Sequence, residues 1–298
     1  MGIPDVPSLR ATPAVKAITL AAVLIPFLGV VAAIVLTWDW GIHGPELAIL
    51  GAMYVATGLG VTLGFHRLFT HRAFETVRPI KFLLGVLGSM SMQGPLLRWA
   101  AMHRRHHQHS DGAEDPHSPH GFGGGVRGTL TGLWHAHVGW MFADQPPNLG
   151  RYVRDLASDR VVQTVNRLFM LWVLLGLLIP AAIGALWVGT WRGALLGFIW
   201  GGLARIFLVH HATWSINSVC HIWGRRPFNC QDESRNNFLF GVLGMGEGWH
   251  NNHHAFPASA RHGFRWWEFD ASYIVIQLLR LFGLAWRIRL PAHKNLAT

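Results

Sequence analysis

The sequence predicts an all-α integral membrane protein, with four transmembrane helices carrying a helical cap in which histidines gather. Three observations predict it. Of 298 residues, 51% are hydrophobic and 13% charged, and the mean hydropathy is +0.27. Four apolar runs have about the 20 residues that a helix needs to cross a bilayer. The 19 histidines include three tight clusters that lie beyond the ends of those runs. So apolar a chain is not disordered, and two cysteines make no disulfide scaffold. A net charge of +10 beside 15 tryptophans fits a membrane surface better than a nucleic acid.

The first span is expected over residues 17–38, uncharged between Lys16 and Asp39. It is too long for a signal peptide and lacks a small-residue cleavage site. The second is expected over 47–65, the third over 168–191 and the fourth over 193–212, where only Arg205 interrupts the apolar run. Residues 82–97 are also uncharged, but the run has only 16 residues and contains Gly85, Gly88, Gly94 and Pro95, which predicts a re-entrant or interfacial segment. Residues 66–167 carry 12 basic and 7 acidic side chains, and those after Ala212 carry 9 and 5. The positive-inside rule then puts both termini on the cytoplasmic side, with a cap formed by 66–167 and 213–298. The whole chain, 1–298, reads as a single domain. The glycine-rich stretch Gly121–Gly125 is a loop without the Lys-Ser/Thr of a phosphate loop. Cys220 and Cys230 fall on the reducing side and read as structural thiols.

The clusters are His66-x4-His71, His103-x2-His106-His107 and His250-x2-His253-His254. On a helix, positions i, i+3 and i+4 share a face, so the second and third clusters can present six imidazoles to one volume. His71 is five residues past His66, about 140° round an ideal α-helix. From a regular helix that pair cannot reach one metal, though it can supply two neighbouring ones. So many imidazoles exceed one zinc site, and the Glu-x-x-His motif of ferritin-like di-iron sites is absent. A two-metal, imidazole-rich centre remains, with iron the best match because oxygen chemistry belongs to iron and copper.

These boxes, in this order and topology, resemble the membrane fatty acyl desaturase family, in particular its stearoyl-CoA-desaturase-like, Δ9-type branch. The likeness runs from about Tyr54 to Pro291. It includes Gly64-Phe65-His66-Arg67, Trp99-Ala100, Asp115-Pro116-His117, His137-Val138-Gly139-Trp140, Asn217-Ser218-Val219-Cys220-His221 and the run from Gly246 to Pro257. The resemblance implies two iron ions, O2 as co-substrate and nine ligands: His66, His71, His103, His106, His107, His221, His250, His253 and His254. Asn217 would reach an iron through a water, and its spacing from His221 lets one helical face carry both. Asp111, Asp115 and Glu247 are expected to orient the ligating imidazoles. His109, His117, His120, His135, His137, His210, His211 and His262 are expected to play no ligand role.

The reaction implied is removal of two hydrogens from a saturated acyl chain, CoA- or lipid-linked, leaving a cis double bond. An unactivated methylene has no useful acidity, so no general base suffices. The chain must be positioned by an apolar tunnel. The resemblance places Gln93, Trp99, Thr213 and Trp214 along that tunnel and Tyr54 as a plug at its methyl end. The Arg-Asp pair that eukaryotic acyl-CoA members carry before the second box is replaced by Ala101 and Met102, and Asp144 and Gln145 follow His137-Val138-Gly139-Trp140 where those members have basic residues. Arg98, Arg104 and Arg105 are the cations left for a phosphate-rich carrier. With no haem or iron–sulfur motif in the sequence, electrons are expected from a separate ferredoxin, rubredoxin or cytochrome b5-type donor with its reductase. A bacterial plasma membrane is the expected location. A related di-iron hydroxylase and a non-catalytic membrane metal-binding protein are the rival readings.

Overall fold

The computed structural model describes residues 10–292. The outermost residues, expected on the cytoplasmic side, lie outside the described residues. Helix α1 (Pro13–Trp40) begins where Thr12 Oγ1 accepts the amide of Val15, so it starts before the charge at Lys16. A charge on a helix does not end it, whereas a cap residue and Pro13 in the first turn set its start. Helix α2 (Gly44–Leu59) continues without a break as a π-helix over Gly60–Thr70. The cap then supplies α3 (Arg78–Met90), α4 (Leu96–His109), α5 (Gly125–His137), and the short α6 (Arg154–Ala157) and α7 (Arg160–Arg167). Helix α8 (Phe169–Val188) is the third span. The fourth is one long rod: α9 (Trp191–Leu196), a π-helical stretch (Gly197–Ala204), α10 (Arg205–Ser218) and a 3-10 turn to His221. Helices α11 (Phe238–Leu243), α12 (His250–Ala255) and α13 (Ala271–Leu281) complete the cap. The two-residue strands β1 (Glu75–Thr76) and β2 (Ala285–Trp286) pair antiparallel and tie the chain's last described segment to the first part of the cap.

Among the described residues, four helices are long and apolar enough to cross a membrane: Pro13–Trp38, Gly44–Thr70, Phe169–Val188 and Trp191–His221. The second and fourth overrun the expected limits of 65 and 212. They leave the apolar zone as rigid helices and carry His66 and His221 into the cap. Burial separates the four: the apolar windows of the first and third are 17% and 22% buried, those of the second and fourth 50% and 61%. The second and fourth are therefore the inner pair, and the first and third face outward to lipid. Residues 82–97 form no span. Helix α3 has 13 residues and ends in a turn where Met92 and Gly94 take positive φ.

Close packing fixes the inner pair. A Cβ on Gly60 would lie 2.2 Å from the backbone nitrogen of Gly88, so the π-helical end of the second span and α3 meet backbone to backbone. A Cβ on Gly197 would lie 2.2 Å from the carbonyl of Pro180, which lets α8 and the fourth span touch as small residues allow in membranes. Pro180 has no N–H for the carbonyl four residues earlier. Arg205 replaces it: its Nη2 donates to Gly176 O at 2.7 Å and its Nη1 to Met90 O, the C-terminal end of α3, at 2.7 Å. This buried charge inside an apolar span thus satisfies backbone that would otherwise be unpaired in lipid. Leu63, Phe65, Phe69, Phe74, Leu96, Ala100, Leu149 and Val162 form one buried core around the first two histidine boxes.

Candidate metal centre

Helix geometry decides which imidazoles meet. In the π-helical end of the second span, the His71 amide donates to His66 O at 3.0 Å, five residues back. An i→i+5 bond stacks residues five apart, and the two rings lie 4.7 Å apart. The expectation that His66 and His71 diverge is therefore wrong here, because it assumed α-helical geometry. Both join His103, His107 and His253 in one group. His106, His221, His250 and His254 form a second group. Helices α4 and α12 each straddle the two: His103 and His107 turn to the first group and His106 to the second, while His253 turns to the first and His250 and His254 to the second. The 3-10 turn closing the fourth span delivers His221. All nine sequence-predicted imidazoles are thus brought to one buried volume.

The ring nitrogens are arranged for cations. Nε2 of His71 and His103, of His103 and His107, of His107 and His253, of His253 and His66, and of His221 and His250 stand 2.9–3.1 Å apart. Two imidazole nitrogens bound to one metal at 2.0–2.1 Å and at right angles would be separated by about 3 Å. Four of the outer nitrogens are held by carboxylates. His66 Nδ1 meets Glu247 at 2.5 Å, His106 Nδ1 meets Asp115 at 2.9 Å and His221 Nδ1 meets Asp111 at 2.8 Å. These are the three acids singled out in the sequence. A fourth, Asp232, lies 2.7 Å from His254 Nδ1. An Nδ1–H donated to a carboxylate leaves the lone pair on Nε2, facing the group, which is how metal-bound histidines are usually oriented. His106 Nε2 and His254 Nε2 are buried without a hydrogen-bond partner among the described residues. The donor set fits two metal ions.

The pKa shifts of six of the rings agree with that arrangement. Burial, and then the neighbouring imidazoles, push His71, His103, His250, His253 and His254 well below the ordinary histidine range, and His107 likewise. Neutral imidazole is the form that binds metal. Burial opposes the charged form of His106, but Asp115 outweighs it and raises its pKa. For Asp115 burial is in turn outweighed by His106, which holds the carboxyl well below the usual carboxylate range.

Two histidines given no ligand role stand beside the groups. His117 packs on His106 with ring centres 4.4 Å apart, and His262 packs on His253 at 4.5 Å. Arg67, fully buried, donates to Asp270 at 2.8 Å and lies 3.2 Å from Glu247. Asp232, Arg67 and His262 are the residues that sequence reasoning missed. Asp232 sits outside any box, 22 residues from its partner. Arg67 could have been found, since a cation adjoining His66 at the end of a span needs a buried anion. His109, His120, His135, His137, His210 and His211 stay outside both groups.

Residues expected along the tunnel form a connected line. Trp99 stacks on His103, centroids 5.1 Å apart, and its indole donates to Gln93 Oε1 at 3.2 Å. Gln93 donates to Thr213 Oγ1 at 2.9 Å. Thr213 and Tyr54 line one small cavity of about 20 Å³, and the Tyr54 hydroxyl donates to Leu243 O at 2.7 Å. Trp214 packs instead on His210 and His211. Asn217 is half-buried near the end of α10, and its side chain has no hydrogen bond to any described residue. The cations proposed for a phosphate-rich carrier are already engaged. Arg104 donates to Asp155, Thr70 O, Phe69 O and Tyr152 O, Arg105 to Glu114, and Arg98 to Gln145. Arg104 has no donor left over, because its guanidinium fastens α4 to the end of the second span. Both cysteines are free thiols.

A fatty acid desaturase family model matches residues 44–289. The chain belongs to the fatty acid desaturase family. This desaturase is 43% identical over 273 residues, 91% of its own length and 85% of the relative's, to a hex-5-enoyl-[acyl-carrier protein] acetylenase of Moorena producens. It is 38% identical over 261 residues to an sn-1 stearoyl-lipid 9-desaturase of Anabaena variabilis, covering 87% of this chain and 88% of that one. It is also 38% identical over 239 residues to a probable acyl-CoA desaturase of Schizosaccharomyces pombe, covering 79% and 47%. The desaturase is thus an integral membrane protein of fatty acid metabolism whose histidine clusters can hold metal.

Proposed function

We propose that this desaturase introduces a cis double bond at the Δ9 position of a saturated fatty acyl chain carried on a membrane lipid. The observation that carries the reading is the pair of imidazole groups, five and four strong, in which four rings are each backed by a carboxylate. Two iron ions bound there would supply the O2-dependent oxidation. In balance, one acyl chain, one O2, two electrons and two protons give the alkene and two waters.

The chain's own residues do the rest. His66, His71, His103, His107 and His253 would hold one ion, and His106, His221, His250 and His254 the other, with Asn217 free to hold a water beside it. Asp111, Asp115, Asp232 and Glu247 fix the tautomer and aim of the rings they touch. Trp99, stacked on His103, borders the reacting carbons. Gln93 and Thr213 continue that line toward Tyr54, which would stop the methyl end. The cavity at Tyr54, about 20 Å³, has room for about one water, so side chains must part to admit the chain. Trp214 would line the far side of the tunnel. A lipid carrier is supported by the engagement of Arg104 and Arg105 and by the similarity to a stearoyl-lipid desaturase. The excess of basic residues supports a cytoplasmic cap that receives electrons from a separate ferredoxin-, rubredoxin- or cytochrome b5-type donor in a bacterial plasma membrane.

The test is lipid analysis of a host that expresses the chain together with a working donor. A new cis C9 double bond on a lipid-linked chain, absent with His250→Ala, is the expected result. The similarity to an acetylenase makes a triple bond the second product to look for. A hydroxylated chain, or a purified protein holding zinc and no iron, would sink the proposal.

A further inference from the structure

We propose that the cap carries a binding site for the phosphate headgroup of an anionic membrane phospholipid, distinct from the metal centre and independent of which acyl chain is desaturated. The site is a cavity of about 710 Å³ walled by Arg225, Arg265, Phe238, Trp267, Trp249 and Glu268. That is the size of a small-molecule site, which spans roughly 300–1,000 Å³.

Charge argues for an anion. The guanidiniums of Arg225 and Arg265 are exposed and have no ion pair or hydrogen bond among the described residues. The remaining lining arginine, Arg226, is held by Glu233 at 2.9 Å. The one lining carboxylate, Glu268, is buried, and its Oε2 accepts from Asn252 at 2.9 Å, Phe264 N at 2.6 Å and Arg265 N at 3.0 Å. Two unpaired guanidinium forks matched to phosphate are thus left at the mouth.

Position argues for a lipid. Phe238 opens α11, a six-residue helix that exposes Phe238, Leu239, Val242 and Leu243. Helix α11 is fastened to the second span, because Tyr54 donates to the Leu243 carbonyl, and it packs on α10 of the fourth span. An exposed apolar face joined to two spans is placed to meet the bilayer surface. Trp266, 94% exposed, and Trp223 flank the cavity like the aromatic belt of a membrane interface. The antiparallel bridges Arg225–Asn236 and Asn236–Trp249 hold the arginine edge against that apolar helix. Basic pockets at this level recognise anionic headgroups.

The experiment is native mass spectrometry of the full chain released from nanodiscs holding phosphatidylglycerol and phosphatidylcholine in equal amounts. Wild type should retain phosphatidylglycerol, and Arg225→Ala/Arg265→Ala should retain about tenfold less, the scale of losing charge-assisted bonds. Phe238→Ser should also lose lipid while leaving both arginines in place. An unchanged melting temperature is expected for both variants, because the side chains are exposed. Equal retention by the double variant overturns the proposal. So does displacement of the lipid by millimolar inorganic phosphate, which would make the site one for free anions. Normal lipid retention with loss of reduction by the electron-donor protein would reassign the arginines to an acidic partner and overturn it as well.

Discussion

Asp232 Oδ2 lies 2.7 Å from Nδ1 of His254, and the imidazole's other nitrogen, buried and unpartnered, faces the second histidine group. Asp232 itself is held from behind, its backbone carbonyl accepting from Arg226 Nη2. Replacing Asp232 with Ala frees the ring to rotate and to change tautomer. Metal affinity or activity should fall about 10–100-fold, as when such outer carboxylates are removed elsewhere. Metal content measured alongside double-bond formation checks this. Full loading and full activity would make Asp232 an ordinary solvated acid.

Arg67 is a second lever, of a different kind. It is fully buried between Glu247 and Asp270. Arg67→Met removes the cation and strands two carboxylates, which typically costs about 3–5 kcal/mol. A lowered unfolding midpoint in detergent is expected, together with weaker metal retention because Glu247 loses its aim at His66. Arg67→Lys should restore part of the stability.

At Gly60 the backbones of the second span and α3 leave no room for a side chain. Gly60→Val should destabilise by about 1–3 kcal/mol or more through overpacking. It should also shift the π-helical segment that brings His66 and His71 together. Gly51→Val, where nothing lies within 4 Å of the Cβ position, is the control and should behave as wild type.

Tyr54 should set chain length. Tyr54→Ala removes the ring and its bond to Leu243, and products with longer acyl chains are expected in the fatty-acid profile. An unchanged profile would place the methyl end elsewhere.

Acid should loosen the join between α4 and the second span. Burial raises the pKa of Asp155, but the hydrogen bonds and charge of Arg104 outweigh it and hold the carboxyl below its usual value. A depressed carboxyl stabilises the fold above the unfolded pKa, about 3.9, and the contribution is lost as pH falls through the folded value. Asp155→Asn should therefore lower the midpoint at pH 6, with the difference from wild type shrinking below about pH 4. A difference that persists undiminished at pH 3 would contradict the assignment.

Much of this architecture was legible because local rules carried it. Residues 17–38 and 168–191 read as spans since uninterrupted apolar length has few other uses. The spacings of His103, His106 and His107, and of His250, His253 and His254, announced shared helical faces. Three of the four carboxylates stood next to a box. Where legibility stopped, the cause was tertiary or conformational. Nothing in Gly60–Thr70 marks a π-helix, so the relation of His66 to His71 was misread. Asp232 reaches His254 only through the loop after the fourth span. Arg104 looked available for a carrier phosphate because its partners, Asp155 and two carbonyls at the end of the π-helix, are brought there by folding.

The four carboxylates have one more consequence. Every inward-facing donor in the two groups is an imidazole, which binds metal without contributing charge. Asp111, Asp115, Asp232 and Glu247, one atom-layer further out, contribute four negative charges among them. Two divalent cations carry four positive ones. A loaded centre would be electrically neutral as a whole, so the interior of the cap could enclose it without the large penalty of an unbalanced buried ion.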